Sequence, residues 1–534
     1  MSCSERVEFL EYNVVKKSWR KSRLKIALCY PNTYKVGMTG LTVQQLYYLL
    51  NLDDEVLCER CFFSEPPTTI ESQAELKAFD VIAFTLQYEE DYINMVKMLM
   101  NANINPLAQK RSENDPLIIA GGQAISANPL PLSRIVDCAF IGELEPKLYE
   151  LIDALKEQRS KRARLNRLYD LDCVYFPDKA TVKRSTAKDL DSTPHITAQL
   201  ATDNGDAAID PIFTKAFYIE ACRSCHRKCR FCLVSWTNGP FRYRSFSKAK
   251  ELLDVGLQHS KVKRVVLLGA AIFDVPWLKD MCKEVIARGL KISIPSLRPD
   301  VIDDELIKLI KEGGQRSLAL GLESFSYKDR LFLGKPYEDS VIEETFQIVI
   351  NEGLTEIKLY LITCLPREEG LDESLITLQK IIKLLDKGGT SLHISINPLI
   401  PKSNTPFQWL PPPDPLMVKD CYKKFIKLFR HPKVRIDFLN PYRASLQGIL
   451  SLGLEDIGLR LVELAQLTST TWFTMAKALS KTFRAIEGDG PWKVIDFGYD
   501  RRLLRRSFEE ALSLINSSIT MWRWCKNVQP SNHS

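Results

Sequence analysis

The sequence predicts an α/β protein in three parts: a doubly wound, Rossmann-like N-terminal domain, a partial (β/α)6 barrel, and a mainly helical C-terminal extension. Three observations predict it. Short apolar runs alternate with helical stretches across residues 24–155. From Lys215 a strict strand–helix alternation repeats six times. The run Pro411-Pro412-Pro413-Asp414-Pro415 then interrupts the chain, and the pattern beyond it is helical.

In the first domain, residues 24–155, strands are expected at Lys25–Tyr30, Asp80–Thr85, Pro116–Gly122 and Asp137–Gly142, with a helix at Tyr92–Asn101 among the intervening stretches. The Gly121-Gly122 pair ends a strand, where a loop needs a tight turn or a close approach to a ligand. Residues 156–210 read as a basic connector. Lys156, Arg159, Lys161, Arg162, Arg164 and Arg167 form a helical run, read as a solvated face, and Ser185–Asn204 reads as a surface linker. In the barrel, residues 211–410, strands are expected at Phe217–Glu220, Arg264–Gly269, Lys291–Pro295, Ser317–Glu323, Glu356–Leu361 and Leu392–Pro398. Helices fall between them at Ser247–His259, Pro276–Gly289, Asp303–Gly313, Asp339–Gly353 and Asp372–Lys387. In such barrels the reactive groups gather at the C-terminal ends of the strands. The extension, residues 411–534, is read as helices near Lys419–Arg430, Ala444–Leu479 and Leu503–Ile515. Arg501, Arg502, Arg505 and Arg506 with Trp522 and Trp524 make a basic-aromatic surface there, read as a solvated helix face.

Composition sets bounds. A chain of 534 residues exceeds one hydrophobic core, and 45% hydrophobic with 26% charged residues is ordinary for globular proteins. No apolar run reaches the roughly 18 residues a membrane span needs, and the start Met1-Ser2-Cys3-Ser4-Glu5-Arg6 is too polar for a secretory signal. Fourteen cysteines in so long a chain argue for a reducing compartment rather than a disulfide scaffold, so a cytoplasmic protein is expected. The net charge of +7 permits nucleic acid or an anionic membrane surface without selecting either.

The chemistry concentrates in Tyr218–Cys232, where Cys225, Cys229 and Cys232 are spaced C-x3-C-x2-C. Three thiolates in one short loop can each bind one iron of a [4Fe–4S] cube, leaving the fourth iron without a protein ligand. A compact zinc site that adds Cys222 and His226 is the alternative, which would make the chain a metal-stabilised binding protein. Cys58 and Cys61 form a separate C-x2-C, read as two packed or solvent-side thiols rather than half of an auxiliary cluster.

The cysteine spacing and the strand that runs into it resemble the radical S-adenosylmethionine (SAM) superfamily. That resemblance implies a [4Fe–4S] cluster on Cys225, Cys229 and Cys232, SAM bound at the open iron, and a 5′-deoxyadenosyl radical that abstracts hydrogen from an unreactive C–H bond. It places Phe231 beside the adenine and Gly269, at the end of strand two, near the SAM amino group. Ser296 and Arg298 in Pro295-Ser296-Leu297-Arg298 would meet the ribose and carboxylate, and Glu323 in Gly321-Leu322-Glu323-Ser324 would face the ligand. Only Gly269 survives of the usual Gly-Gly-Glu, and Cys364 stands where relatives carry glycine, read as an inert thiol.

The N-terminal runs Tyr30–Met38, Ala120–Ala124 and Ile141–Glu145 are similar to the B12-binding-like domain of cobalamin-type radical SAM proteins. Their D-x-H-x-x-G histidine is missing, since no histidine precedes His195, so cobalamin is not expected to bind. The resemblance further implies an electron donor such as flavodoxin or ferredoxin. It leaves the substrate open: an aliphatic carbon of a lipid, with methylation, C–C bond formation or cyclisation and peripheral membrane contact, or alternatively modification of tRNA or protein, such as methylthiolation.

Overall fold

The computed structural model describes residues 11–202, 215–259, 262–366, 370–428, 431–467, 469–486 and 488–515. They fall in two compact units, the first comprising Met1–Glu220, Arg244–Val266 and Leu461–Thr468, the second Ala221–Tyr243, Leu267–Arg460 and Ser469–Ser534.

The first unit is built on a six-stranded sheet ordered Val56–Phe62, Leu24–Tyr30, Val81–Thr85, Leu117–Gly121, Cys138–Phe140, Val174–Tyr175. The first five strands pair in parallel and the last is antiparallel. The four expected strands are present, and Val56–Phe62 is an addition. Its sequence, Val-Leu-Cys-Glu-Arg-Cys-Phe, reads as interrupted by charge, yet every residue is buried. Arg60 is fully buried between Glu11, at 2.5 Å, and Glu71, at 2.7 Å. Glu59 accepts hydrogen bonds from the Thr69 and Ser72 hydroxyls, both 2.6 Å. Each buried charge is thus met by partners, which is the condition for a charged pair to sit inside a sheet.

The connector departs from its reading as solvated and loose. Helix Lys161–Tyr169 is capped by Ser160 and turns Lys161 and Arg164 inward. Lys161 pairs with Asp137 at 3.1 Å and Arg164 with Asp80 at 3.2 Å, leaving Arg162 and Arg167 exposed. Within 185–202, Ala187, Leu190, Thr193, His195, Ile196, Gln199 and Leu200 are buried. The side-chain amide of Gln45 donates to Pro194 O and accepts from Ile196 N, and Gln199 does the same with Tyr218 O and N.

The second unit carries the later barrel strands. Ser317–Glu323, Glu356–Thr363, Ser391–Pro398 and Val434–Phe438 form a parallel sheet in chain order. Lys291–Ser293 belongs to a separate sheet, so the described strands form no closed ring. Leu297 makes a parallel bridge to Leu320. The strand Val434–Phe438 is an addition to the mainly helical extension, between the helices expected at Lys419–Arg430 and Ala444–Leu479. The extension is otherwise helical, including Pro415–Leu428, Pro441–Ser451, Trp472–Ser480 and Arg502–Ser513. The last of these buries Leu504, Phe508 and Ala511, and the latter two join a core with Phe332, Leu333, Leu399, Phe407 and Leu410. Its arginines are partnered: Arg502 with Asp500, Arg505 with Glu509, Arg506 with Glu510, while Arg501 donates to Ile495 O. Trp522 and Trp524 lie outside the described residues.

Period-two alternation divides the four-stranded sheet into two faces. Leu318, Leu320 and Leu322, Ile357, Leu359 and Leu361, and Leu392, Ile394 and Ile396 are buried on one face, and the residues between them are half-exposed or exposed. No helix of the described residues is long and apolar enough to cross a membrane.

Candidate active site

The cysteine loop is held at both ends and from below. Ala221 N donates to Leu268 O at 2.8 Å, and Cys222–Arg223 pairs antiparallel with Arg242–Tyr243. Between them the backbone turns through left-handed conformations at Ser224 (φ +68°) and Lys228 (φ +53°). These are conformations a residue with a Cβ adopts only under local constraint. The constraint is visible. Trp236 Nε1 donates to Cys229 O at 3.0 Å, and Lys228 Nζ donates to Ser235 O at 2.8 Å while lying 4.7 Å over the Trp236 ring. The Arg230 guanidinium donates to Leu331 O and Phe332 O, and its Nε to Ser507 Oγ. A Cβ on Gly334 would stand 3.3 Å from Arg230 N and 3.4 Å from Cys229 Cα, at a φ of +80°, so glycine is needed where the chain passes under the loop.

The loop presents Cys225 and Cys229 as buried and Cys232 as half-buried. Burial pushes the Cys229 thiol up to about 11, while the cations of Lys335 and Arg298 pull it down. Burial raises Cys225 too. Arg298 is placed at the loop: its guanidinium stands 3.9 Å from Cys229 Sγ and grips Asp300 through two bonds of 2.8 and 2.9 Å. Burial opposes ionisation of Asp300, but those bonds hold its carboxyl below the usual range. Arg227, inside the loop, pairs with Asp274 at 2.5 Å and reaches Asp300 at 3.5 Å. The thiols are therefore surrounded by a chain of alternating charges, Asp274–Arg227–Asp300–Arg298.

Glu323 ends its strand after a register shift between Leu320 and Glu323, with φ +67°. Its carboxylate accepts from Lys335 Nζ at 2.7 Å, and that ammonium also donates to Gly321 O at 2.8 Å. Tyr337 donates to Leu322 O at 2.8 Å and lies under the Arg298 guanidinium, 5.5 Å from ring centre. Phe231 packs against the core of Phe332, Leu333 and Phe407, with Lys335 Nζ 5.9 Å from its ring. Gly269 has a packing role: a Cβ there would meet Cys222 Sγ at 2.3 Å. Ser296 is exposed.

Reading strand ends alone missed Lys335, Tyr337 and Arg227. Lys335 is separated from Glu323 by the seven-residue helix Tyr327–Leu333 and the left-handed Gly334, so no motif marks it. Asp274 and Asp300 lie six and seven residues past the strands Arg264–Leu268 and Lys291–Ser293, where charge is the one sequence signal that pairs them with the arginines.

Among the described residues, no three His, Cys, Asp or Glu side chains converge closely enough to hold a single metal ion. A four-ligand zinc site demands that convergence, and Cys222 is buried against Gly269 while His226 is exposed. A cube makes a different demand, since each thiolate binds its own iron and the sulfurs need not meet at one point. One loop carrying three thiols beside buried cations fits that donor set. Cys58 and Cys61 do not form a second one: three positions apart on a strand they point to opposite faces. Cys61 lies opposite Cys29 in register, and Cys58 packs in the core with Leu24 and Val43.

Cys364 adopts φ +55° and hydrogen-bonds Cys421. In the first unit, the glycines of the Gly121-Gly122 turn and Gly142 are explained by chain packing. A Cβ on Gly122 would meet Leu86 O at 2.4 Å, and one on Gly142 would meet Ser185 O at 2.3 Å. His195 is buried, with Nδ1 at 2.9 Å from Ile196 O and Nε2 accepting from Glu220 N.

Parallel strands whose ends gather thiols, a carboxylate and guanidinium groups define a cofactor enzyme of the partial-barrel type. Residues 42–177 match the family profile described as radical SAM proteins, N-terminal, and residues 219–381 match that of the radical SAM superfamily. The chain carries both radical SAM domains and is a radical SAM enzyme. It is 28% identical over 474 residues, 88% of this chain and 98% of the other, to an uncharacterized protein of Methanocaldococcus jannaschii. Its fold is similar to that of the cobalamin-dependent SAM radical enzyme OxsB, solved with aqua-cobalamin (13% identity, 95% of this chain and 84% of that one, TM-score 0.50). A weaker likeness is to the radical SAM methyltransferase TsrM from Kitasatospora setae (13%, 69% and 72%, TM-score 0.46).

Proposed function

We propose that Cys225, Cys229 and Cys232 hold a [4Fe–4S] cluster and that the enzyme uses SAM to functionalise an unactivated C–H carbon. When bound, the cluster and SAM together supply a 5′-deoxyadenosyl radical. The chain's part is to bind, orient and exclude. Lys228, Arg230 and Trp236 fix the loop. Arg298 lays positive charge against Cys229, and the Glu323–Lys335 pair offers a fixed carboxylate and ammonium to a zwitterionic ligand. Phe231 gives an adenine a flat apolar wall. The observation that carries the reading is the three-thiol loop facing Arg298 and, through Lys335, Glu323.

A lipid carbon is the substrate the sequence resemblance suggests first, with tRNA or protein modification second. A one-electron donor of the flavodoxin or ferredoxin type would drive the reaction. No histidine precedes His195 to ligate cobalt, and the glycine turns of the first unit are accounted for by packing, so the proposed reaction uses no corrinoid. The test is anaerobic: reduced, reconstituted enzyme with SAM should release 5′-deoxyadenosine even without substrate. Release of S-adenosylhomocysteine alone, with no 5′-deoxyadenosine under any reductant, would sink the reading. With methyl-labelled SAM and a substrate pool, label in a product indicates methyl or methylthio transfer. An unlabelled product two hydrogens lighter indicates ring or C–C bond formation.

A further inference from the structure

One face of the four-stranded sheet is apolar and buried, and the other is polar and open. The open face belongs to the site. Alternation puts Gly321 on it with Ser317 and Ala319, and the direction a Cβ would take from Gly321 meets Lys335 Nζ at 3.1 Å and Glu323 Oε1 at 3.4 Å. The register carries the same face across the neighbouring strands. Lys358 lies opposite His393 and that opposite Arg435, then Tyr360 opposite Ser395 and that opposite Asp437, then Ile362 opposite Asn397. Among these only Ile362 is aliphatic. Tyr360 is 42% exposed, and the side chains of Tyr360, Ser395 and Asn397 make no hydrogen bond among the described residues.

We infer that this face is the substrate seat and takes a small polar molecule, uncharged or zwitterionic, rather than an acyl chain or RNA. The inference rests on the proposed radical reaction and narrows its substrate. An acyl chain laid here would strip water from hydroxyl and amide groups with nothing to replace their hydrogen bonds, a penalty for each such group. RNA calls for unpaired cations that neutralise phosphates. Here Lys358 is 3.5 Å from Glu356, and Arg435 and His393 both reach Asp437, at 3.1 and 2.7 Å. The rows across Glu356–Thr363, Ser391–Pro398 and Val434–Phe438 span two strand spacings, about 10 Å, the span of one amino acid or nucleoside.

The experiment uses the full reconstituted enzyme, reduced with SAM, and three probes: the aqueous small-molecule phase of a cell extract, its chloroform-soluble lipids, and bulk RNA. The aqueous phase is expected to raise 5′-deoxyadenosine release at least about tenfold over SAM alone, a difference of about 1.4 kcal/mol. The variants Ser395→Val and Asn397→Leu should lose that rise while keeping wild-type iron content and circular dichroism. Stimulation by lipid or RNA alone, or a rise undiminished in both variants, would overturn the inference. Absence of 5′-deoxyadenosine from the wild type with every probe would instead bring down the radical reading beneath it.

Discussion

Replacing Lys335 with methionine isolates the ion pair at the end of the Ser317–Glu323 strand. The Lys335 and Glu323 side chains are only 7% and 11% exposed, and among the described residues their 2.7 Å contact is the only ion pair either makes. Methionine keeps the length of the stem and removes the ammonium, leaving a buried carboxylate without its counter-charge. Breaking a buried pair in this way costs about 3–5 kcal/mol. Adding Glu323→Gln removes the stranded charge, so the double variant should recover most of the loss and retain a deficit of roughly 1–2 kcal/mol for hydrogen bonds not remade. The coupling energy from the cycle should then reach about 2 kcal/mol or more. Urea midpoints read by tryptophan fluorescence are suitable, because Trp236, Trp277, Trp409 and Trp492 lie in the second unit. Each single variant should also slow 5′-deoxyadenosine release strongly, since misplacing a reactant by about 1 Å can cost roughly 100-fold. A Lys335→Met loss below about 1 kcal/mol, or a double variant no better than that single one, would refute the reasoning.

Three further outcomes are expected. Reconstituted wild-type protein should carry about four irons, as one cube does, and the Cys225→Ala/Cys229→Ala/Cys232→Ala variant none of them by iron and sulfide analysis; a retained cluster would place the ligands elsewhere. The hydrogen bond from Cys364 holds the Cys421 thiol below its usual range, so its thiolate is present at lower pH and iodoacetamide labelling should rise at correspondingly lower pH. Cys364→Ala removes that bond and should slow Cys421 labelling near pH 7; an unchanged rate, followed by peptide mass spectrometry, would contradict the pairing. Protein expressed with cobalamin should contain substoichiometric cobalt, and tight stoichiometric cobalt would overturn the expectation drawn from the missing histidine.

The barrel strands were legible because their apolar alternation and the helices between them repeat within a short window, where periodicity is a local signal. Val56–Phe62 was not, since Glu59 and Arg60 break the hydrophobic run and their partners Glu11, Glu71, Thr69 and Ser72 lie elsewhere in the chain. Val434–Phe438 is short and sits in a helical neighbourhood, so only its pairing with Ser391–Pro398 identifies it. The cysteine triad announces itself by spacing. The groups around it do not: Arg298 looked like a ligand contact, but its bond to Asp300 and its place beside Cys229 are facts of folding. The basic helix Lys161–Tyr169 shows the same limit, because composition cannot tell which of its cations will find an aspartate.

The glutamine contacts of the connector bear on where this chain tolerates change. A side-chain amide that both donates to and accepts from one stretch of backbone imitates a neighbouring strand; Gln45 does so to Pro194 and Ile196, and Gln199, from within the connector, does so to Tyr218. Gln44 adds a third tie, accepting from Leu200 N at 2.9 Å. A segment with almost no regular secondary structure thereby has a fixed reading frame. Inserting or deleting one residue between Pro194 and Leu200 would slide the backbone past the Gln44 and Gln45 amides, which cannot follow, as a slipped register does in a sheet. Exposed loops are the usual places to cut, permute or tag a protein; this stretch, although irregular, is one to leave whole.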